Sequence, residues 1–229
     1  MSEAARVTAV LSGLGPEDAS ADRISDRVAH DLRRLIITLE LRPGAPIIET
    51  TLMQRLGCGR TPLREALHRL VEEYLVRSVP RRGMTVAEIG IFELQQAYEA
   101  RQAIEGLLAR LVSERATDQQ LDDLDETTRA MERAGEAADL FDTVQRDILF
   151  HSLIADAGGN LYVRDAFRRL AGPTMRLMYF AHSHGQMIAQ TYIEHRDVIA
   201  ALRTRIPADA ERVMRTHIAR AKERILQKL

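Results

Sequence analysis

Gly59-Arg60-Thr61-Pro62-Leu63-Arg64-Glu65-Ala66-Leu67 decides how this chain begins to fold. Thr61 suits an N-cap, Pro62 suits the first helical position, where its missing N–H costs nothing, and Glu65 falls near the positive end of the helix dipole. The stretch therefore predicts a helix whose leading turn carries two arginines. Upstream, the apolar set Leu52, Met53 and Leu56 stops at Gly57-Cys58-Gly59, which reads as a second short helix and a tight turn. Further upstream, Val28, Leu32, Leu35, Ile36 and Leu39 recur at helical spacing until Arg42-Pro43-Gly44 ends the run. Downstream, Leu75 to Val79 and Met84 to Val86 are β-prone and joined by Pro80-Arg81-Arg82-Gly83, a small hairpin. Three short helices followed by a hairpin make a winged helix-turn-helix.

The 229 residues contain 45% hydrophobic and 28% charged side chains, ordinary proportions for a globular chain and unlike a disordered one. Charge is nearly balanced, 32 Lys and Arg against 33 Asp and Glu, but unevenly spread. Residues 21–86 hold 12 basic and 8 acidic side chains, whereas 87–229 hold 19 and 22. A cationic front and a mildly anionic back suit a nucleic-acid module joined to a differently employed domain. The single cysteine, Cys58, cannot form an internal disulfide, and no secretory or membrane segment is legible, so a cytoplasmic protein is expected. Residues 1–20, with Ser12-Gly13-Leu14-Gly15-Pro16, lack sustained periodicity and read as a mobile tail.

After Val86 the pattern becomes helical throughout, with breaks near Thr117, Gly135, Gly158-Gly159, Gly185 and Pro207. Thr117-Asp118-Gln119-Gln120 fits a capping box, and Pro207 fits a helix start. The expected fold is mostly α: a winged helix-turn-helix over 21–86 and an all-helical bundle of about six helices over 87–229.

At the tip of the recognition helix, Arg60 and Arg64 are suited to guanine edges or phosphates, and the Thr61 hydroxyl to a phosphate oxygen. Arg81-Arg82-Gly83 would form a basic wing. Residues 24 to 86, through Arg42-Pro43-Gly44, Arg60 to Leu67, Arg69-Leu70 and Arg82-Gly83, resemble the DNA-binding domain of GntR-type transcriptional regulators. The resemblance implies operator contacts by Arg60, Thr61, Arg64 and Gly83, with Arg81 and Arg82 beside them. Gly59 departs from the family's usual Ser or Thr, and Tyr74 stands where a glycine usually closes the recognition helix. Cys58, His30 and His68 read as structural.

In the back half, Asp147 and His151 stand four residues apart on one helix among apolar neighbours, so both project from the same buried face. His195 and His217 lie on two later helices. Spacing alone leaves open a common Asp-His couple and ordinary core histidines, or convergence on one cation. Arg101 to Glu105, Asp147 to Ile154 with Gly159-Asn160, His195 with Asp197 to Ala201, and His217-Ile218 resemble the ligand-binding domain of the FadR subfamily of GntR regulators. That resemblance implies a divalent transition metal on Asp147, His151, His195 and His217. Zinc is expected, and nickel or manganese is admissible. It also implies a small organic acid as effector, its carboxylate completing the metal's sphere and pairing with Arg101; the competing role for Arg101 is a surface salt bridge to Glu105. Asn160 reads as a helix cap, and His182 and His184 as helix-end residues near the cavity.

The expected protein is a metabolite-responsive transcriptional repressor acting as a homodimer on double-stranded operator DNA, and not an enzyme. Two readings compete with it: a metal-dependent enzyme acting on a small carboxylate, since a His/Asp-bound ion can activate water, and a regulator whose metal is purely structural.

Overall fold

A computed structural model describes residues 24–81, 83–183 and 188–229. The Met1–Ser20 tail, Arg82, His184 and the break at Gly185 lie outside the described residues. Among these residues the chain forms nine helices and a two-stranded sheet, and no helix is long and apolar enough to cross a membrane.

In the front half, α1 (Ile24–Ile37), α2 (Glu49–Leu56) and α3 (Arg60–Glu72) precede β1 (Val76–Val79) and β2 (Gly83–Val86). The apolar stripe of α1 buries Val28, Leu32 and Ile36 against Leu63, Leu67 and Leu70 of α3. Asp26 and Arg69 pair at one end of that contact, and Arg33 holds Glu73 at the other through two bonds of 2.5 and 2.6 Å. Gly57 closes α2 at φ 60°, a left-handed conformation that costs glycine little, with its N–H donating to Met53 O. Thr61 does not cap α3. Gly59 takes the cap with φ −81° and ψ 173°, so the helix opens at Arg60. Pro62 then stands third, where the helix still has no use for its N–H. In the wing, β1 and β2 run antiparallel with Val76 opposite Val86 and Val79 opposite Gly83.

The back half contains α4 (Ile91–Arg115), α5 (Asp118–Glu136), α6 (Leu140–Ala157), α7 (Leu161–His182), α8 (Ile188–Arg203) and α9 (Pro207–Leu226). Its starts obey local chemistry. Thr117 and Gln120 form the reciprocal capping box ahead of α5, Asn160 Oδ1 accepts from the Val163 N–H, and Pro207 sits in the first turn of α9. An unforeseen cap, Asp139 accepting from the Asp142 N–H, starts α6. Helix α4 runs through the centre and packs most closely on α9: a Cβ at Gly106 would lie 2.9 Å from Cγ of Arg215. The bundle core joins Leu108, Val112, Ile148, Phe150, Phe167, Leu202, Met214 and Ile218.

The two halves meet on α7. Leu75, fully buried, seats against Gly172, where a Cβ would approach Leu75 Cδ1 to 2.9 Å. Four residues on, Arg176 donates to the carbonyls of Ala87 (2.6 Å) and Glu88 (2.7 Å), clamping the segment that leaves the wing.

Candidate functional site

On the front half, Arg60, Thr61 and Arg64 are exposed on the leading turn of α3. Both arginines lean toward Glu49 of α2: Arg64 Nε donates to its two oxygens at 3.0 and 3.2 Å, and Arg60 Nε lies 3.7 Å away. With 65% and 56% of the Arg60 and Arg64 side chains in water, both heads are available to a ligand larger than Glu49. Arg81 and Gly83 are exposed in the wing turn at φ 65° and 82°. His68 is exposed, and Cys58 is a free, half-buried thiol.

In the bundle, helices α6, α8 and α9 bring His151, His195 and His217 together, all nearly inaccessible to solvent, with one ligand nitrogen of each within 4.8 Å of the others. Periodicity alone places Asp147 and His151 on one face of α6; the convergence of the other two depends on how three helices pack. Asp147 joins the cluster, with Oδ1 at 3.3 Å from His195 Nε2 and Oδ2 at 3.8 Å from His151 Nε2. His151 Nε2 and His217 Nε2 face each other at 3.3 Å. Phe150 stacks on the His195 ring at 3.9 Å and fixes its plane.

Behind the imidazoles stand two carboxylates that sequence reading did not assign to the site. Glu105 Oε2 lies 2.5 Å from His151 Nδ1, and its other oxygen takes Arg101 Nε at 2.5 Å. Glu194 accepts from His217 Nδ1 at 3.0 Å and from Arg224 at 2.7 and 2.8 Å. Carboxylates at both Nδ1 positions favour the Nδ1–H tautomer, which turns the Nε2 lone pairs of His151 and His217 toward each other. Among the described residues, His195 Nδ1 and Arg101 Nη2 have no hydrogen-bond partner, and His195 Nε2 has only the ion-pair contact to Asp147.

Electrostatics sharpen the arrangement. Burial drives His217 down to about 4, against the pull of Glu194, and lowers His195 against that of Asp147, so both rings are neutral ligands near neutral pH. Burial would raise the Asp147 carboxyl, but His195, His151 and Arg101 outweigh it and hold it well below the usual range. Glu105 is likewise brought to about 2, burial being overcome by Arg101 and His151. The pair between Arg101 and Glu105 forms, yet it is 1% exposed rather than on the surface.

Chemically this donor set fits a first-row divalent cation: three imidazole nitrogens and one ionised carboxylate, secluded from water. Two nitrogens each about 2.0–2.1 Å from a shared tetrahedral ion lie roughly 3.4 Å apart, close to the separation between His151 and His217. The space remaining beside the cluster is about 20 Å³, lined in part by Met178, Ala181 and His182, room for one water-sized group. His182, the last residue of α7, thus sits both at a helix end and on the cavity wall.

A winged helix-turn-helix set ahead of an all-helical bundle with this buried cluster defines a DNA-binding transcription regulator. The chain belongs to the GntR family of bacterial regulatory proteins: residues 24–86 match the gntR family model and residues 96–220 match the FCD domain. It is 28% identical over 204 residues to the HTH-type transcriptional repressor RspR of Escherichia coli K12, covering 89% of this chain and 90% of that protein. Against the HTH-type transcriptional regulator McbR of the same organism, identity is 28% over 178 residues, covering 76% and 80% of the two chains. The solved structure of E. coli McbR/YncC superposes with a TM-score of 0.77 at 22% identity, covering 90% of this chain and 99% of that one, a likeness of fold.

Proposed function

We propose that this regulator is a dimeric repressor whose residues 21–86 read operator DNA and whose residues 87–229 hold a divalent metal and sense a small organic acid. Arg60, Thr61, Arg64, Arg81, Arg82 and Gly83 form the DNA-facing surface. Asp147, His151, His195 and His217 are the metal ligands. The observation that carries this reading is the meeting of His151 Nε2 and His217 Nε2 at 3.3 Å, with a carboxylate oxygen beside each Nδ1. With both rings carrying their proton on Nδ1, the two Nε2 acceptors repel in a dry interior, and a cation between them relieves that repulsion. A bound ion would supply a fixed positive charge and, at an open position, Lewis acidity toward a carboxylate. Arg101, with its buried and unpartnered Nη2, offers the second contact for that carboxylate.

Since only about 20 Å³ is free, an organic acid enters by displacing the wall contributed by α7 and α9. Helix α7 also seats the reading head, and that shared wall ties ligand entry to operator affinity, by no more than the acid's preference for one pose over the other. Metal analysis of purified protein should find one ion per chain, lost when His195 and His217 are both replaced by alanine. Organic acids that raise the melting temperature of the metal-loaded protein, but not of the stripped protein, support the sensing role. Arg64→Ala should abolish specific operator binding in a salt-controlled shift assay with the fold intact; unaltered affinity overturns that contact.

The small cavity also favours a second reading, in which the ion only staples the bundle. Full effector affinity in the double histidine variant would establish it.

A further inference from the structure

Between the two halves lies a second, much larger cavity, about 680 Å³, within the range of ordinary small-molecule sites. One wall is the winged half, with Val71, Tyr74 and Val76; the other is the bundle, with Ala97, Leu170 and Leu177. Most of this lining is apolar. Four charged residues also line it: Arg77, Glu88, Glu93 and Arg176. Arg77 is paired with Glu93 at 3.3 Å, and Glu88 is exposed to water. Arg176 differs from all three. It is 3% exposed and among the described residues forms no ion pair; its two amino groups are spent on the Ala87 and Glu88 carbonyls, and its Nε has no hydrogen-bond partner there.

A buried guanidinium satisfied only by neutral carbonyls is under-compensated, because taking the charge out of water costs several kcal/mol that carbonyl dipoles offset only in part. Its state reflects this: burial pushes Arg176 down to about 10, with Glu93 and Glu88 opposing and Arg77 adding to the fall. An anion in the cavity beside the guanidinium would neutralise the one charged side chain of its lining that has neither solvent nor an ion-pair partner among the described residues. The remaining volume calls for an apolar body attached to that anion.

We infer that this interdomain cavity is a binding site, distinct from the histidine chamber, for an amphipathic monocarboxylate whose head pairs with Arg176 and whose apolar part lies between Tyr74 and Leu177. Such a molecule touches both halves at once. It favours the pose in which they are seated together, so its occupancy acts on DNA affinity through the same seam.

Phenylbutyrate, with phenylbutyramide as its uncharged analogue, tests this by titration calorimetry on the intact chain, both metal-loaded and stripped with chelator. Saturable uptake of one phenylbutyrate per chain is expected, with affinity changing less than threefold on metal removal and the amide at least tenfold weaker. Arg176→Gln and Ala97→Phe, the first removing the cation and the second filling the cavity beside an intact Arg176, should each weaken binding at least tenfold. A diazirinyl benzoate should cross-link within residues 71–80 or 93–97, which remains decisive if either variant folds poorly. Three results would overturn the assignment: no saturable uptake, equal binding of the amide, or uptake that vanishes with the metal and cross-links to α8 or α9.

Discussion

Replacing Glu105 with alanine should destabilise the bundle more than loss of any surface ion pair. Arg101, Glu105 and His151 are each 1% exposed, and Glu105 contacts both of the others at 2.5 Å. The substitution strands a guanidinium in the interior beside a histidine that has lost its backing carboxylate. Removing one member of a buried pair costs about 3–5 kcal/mol, against about 0.3–0.5 for an exposed pair one helical turn apart, such as Arg129 with Asp125. At roughly 2–4 °C per kcal/mol for a chain of this size, the melting temperature should fall by about 6–20 °C. Circular dichroism on chelator-treated protein, at fixed protomer concentration, reads the shift without contributions from metal or association. Pairing Glu105→Leu with Arg101→Met removes both charges together and should recover most of the loss. A Glu105→Ala cost below about 1 kcal/mol would refute the claim that this carboxylate carries the charge balance of the chamber.

Other outcomes follow from features of both halves. Tyr74 closes α3 at φ 57°, a conformation costing a non-glycine residue about 1–2 kcal/mol, while the residue is 56% exposed. Tyr74→Gly should therefore stabilise by up to about 1 kcal/mol after glycine's own entropy is counted; a comparable loss in urea unfolding would mean the ring packs more than it strains. In metal-free protein, His217 takes its proton at about 4 when folded but near 6.5 when unfolded. The unfolded chain thus binds more protons between those values, and stability should fall from pH 6.5 down to about 4 by roughly 1.4 kcal/mol per unit, then level off for this group. A flat profile over that window, in the absence of metal, would contradict the neutral, buried imidazole. Glu49→Gln releases Arg60 and Arg64 from an exposed pairing of about 0.2–1 kcal/mol. Affinity for operator and for random duplex should both rise up to about fivefold and the ratio between them fall; unchanged binding to both would show that Glu49 does not hold the two arginines in check.

Much of the fold was readable because its signals are local. Helix α1 follows from the spacing of Val28, Leu32 and Ile36, the start of α5 from Thr117 and Gln120, and the hairpin from two β-prone runs around Gly83. Errors arose where two local rules competed. Thr61 is the better capping residue by type, yet Gly59 takes the cap because the turn from Gly57 places it there. Asp147 and His151 were legible together, being four apart on one helix. Their meeting with His195 and His217 has no local signal and rested on resemblance. Glu105 and Glu194 were harder still. Glu105 was visible only as a helical neighbour of Arg101, and Glu194 adjoins His195 without sharing its direction, so its role depends on His217 and Arg224 arriving from α9.

The notch at Gly172 bears on the exchange of modules between members of this family. A grafted head keeps its own core, since the two hydrophobic clusters are nearly separate, but it must present a leucine-sized knob where Leu75 enters. Transplants that match this knob to its socket should transmit a signal, whereas those that ignore it should fold into two working pieces that no longer speak to each other.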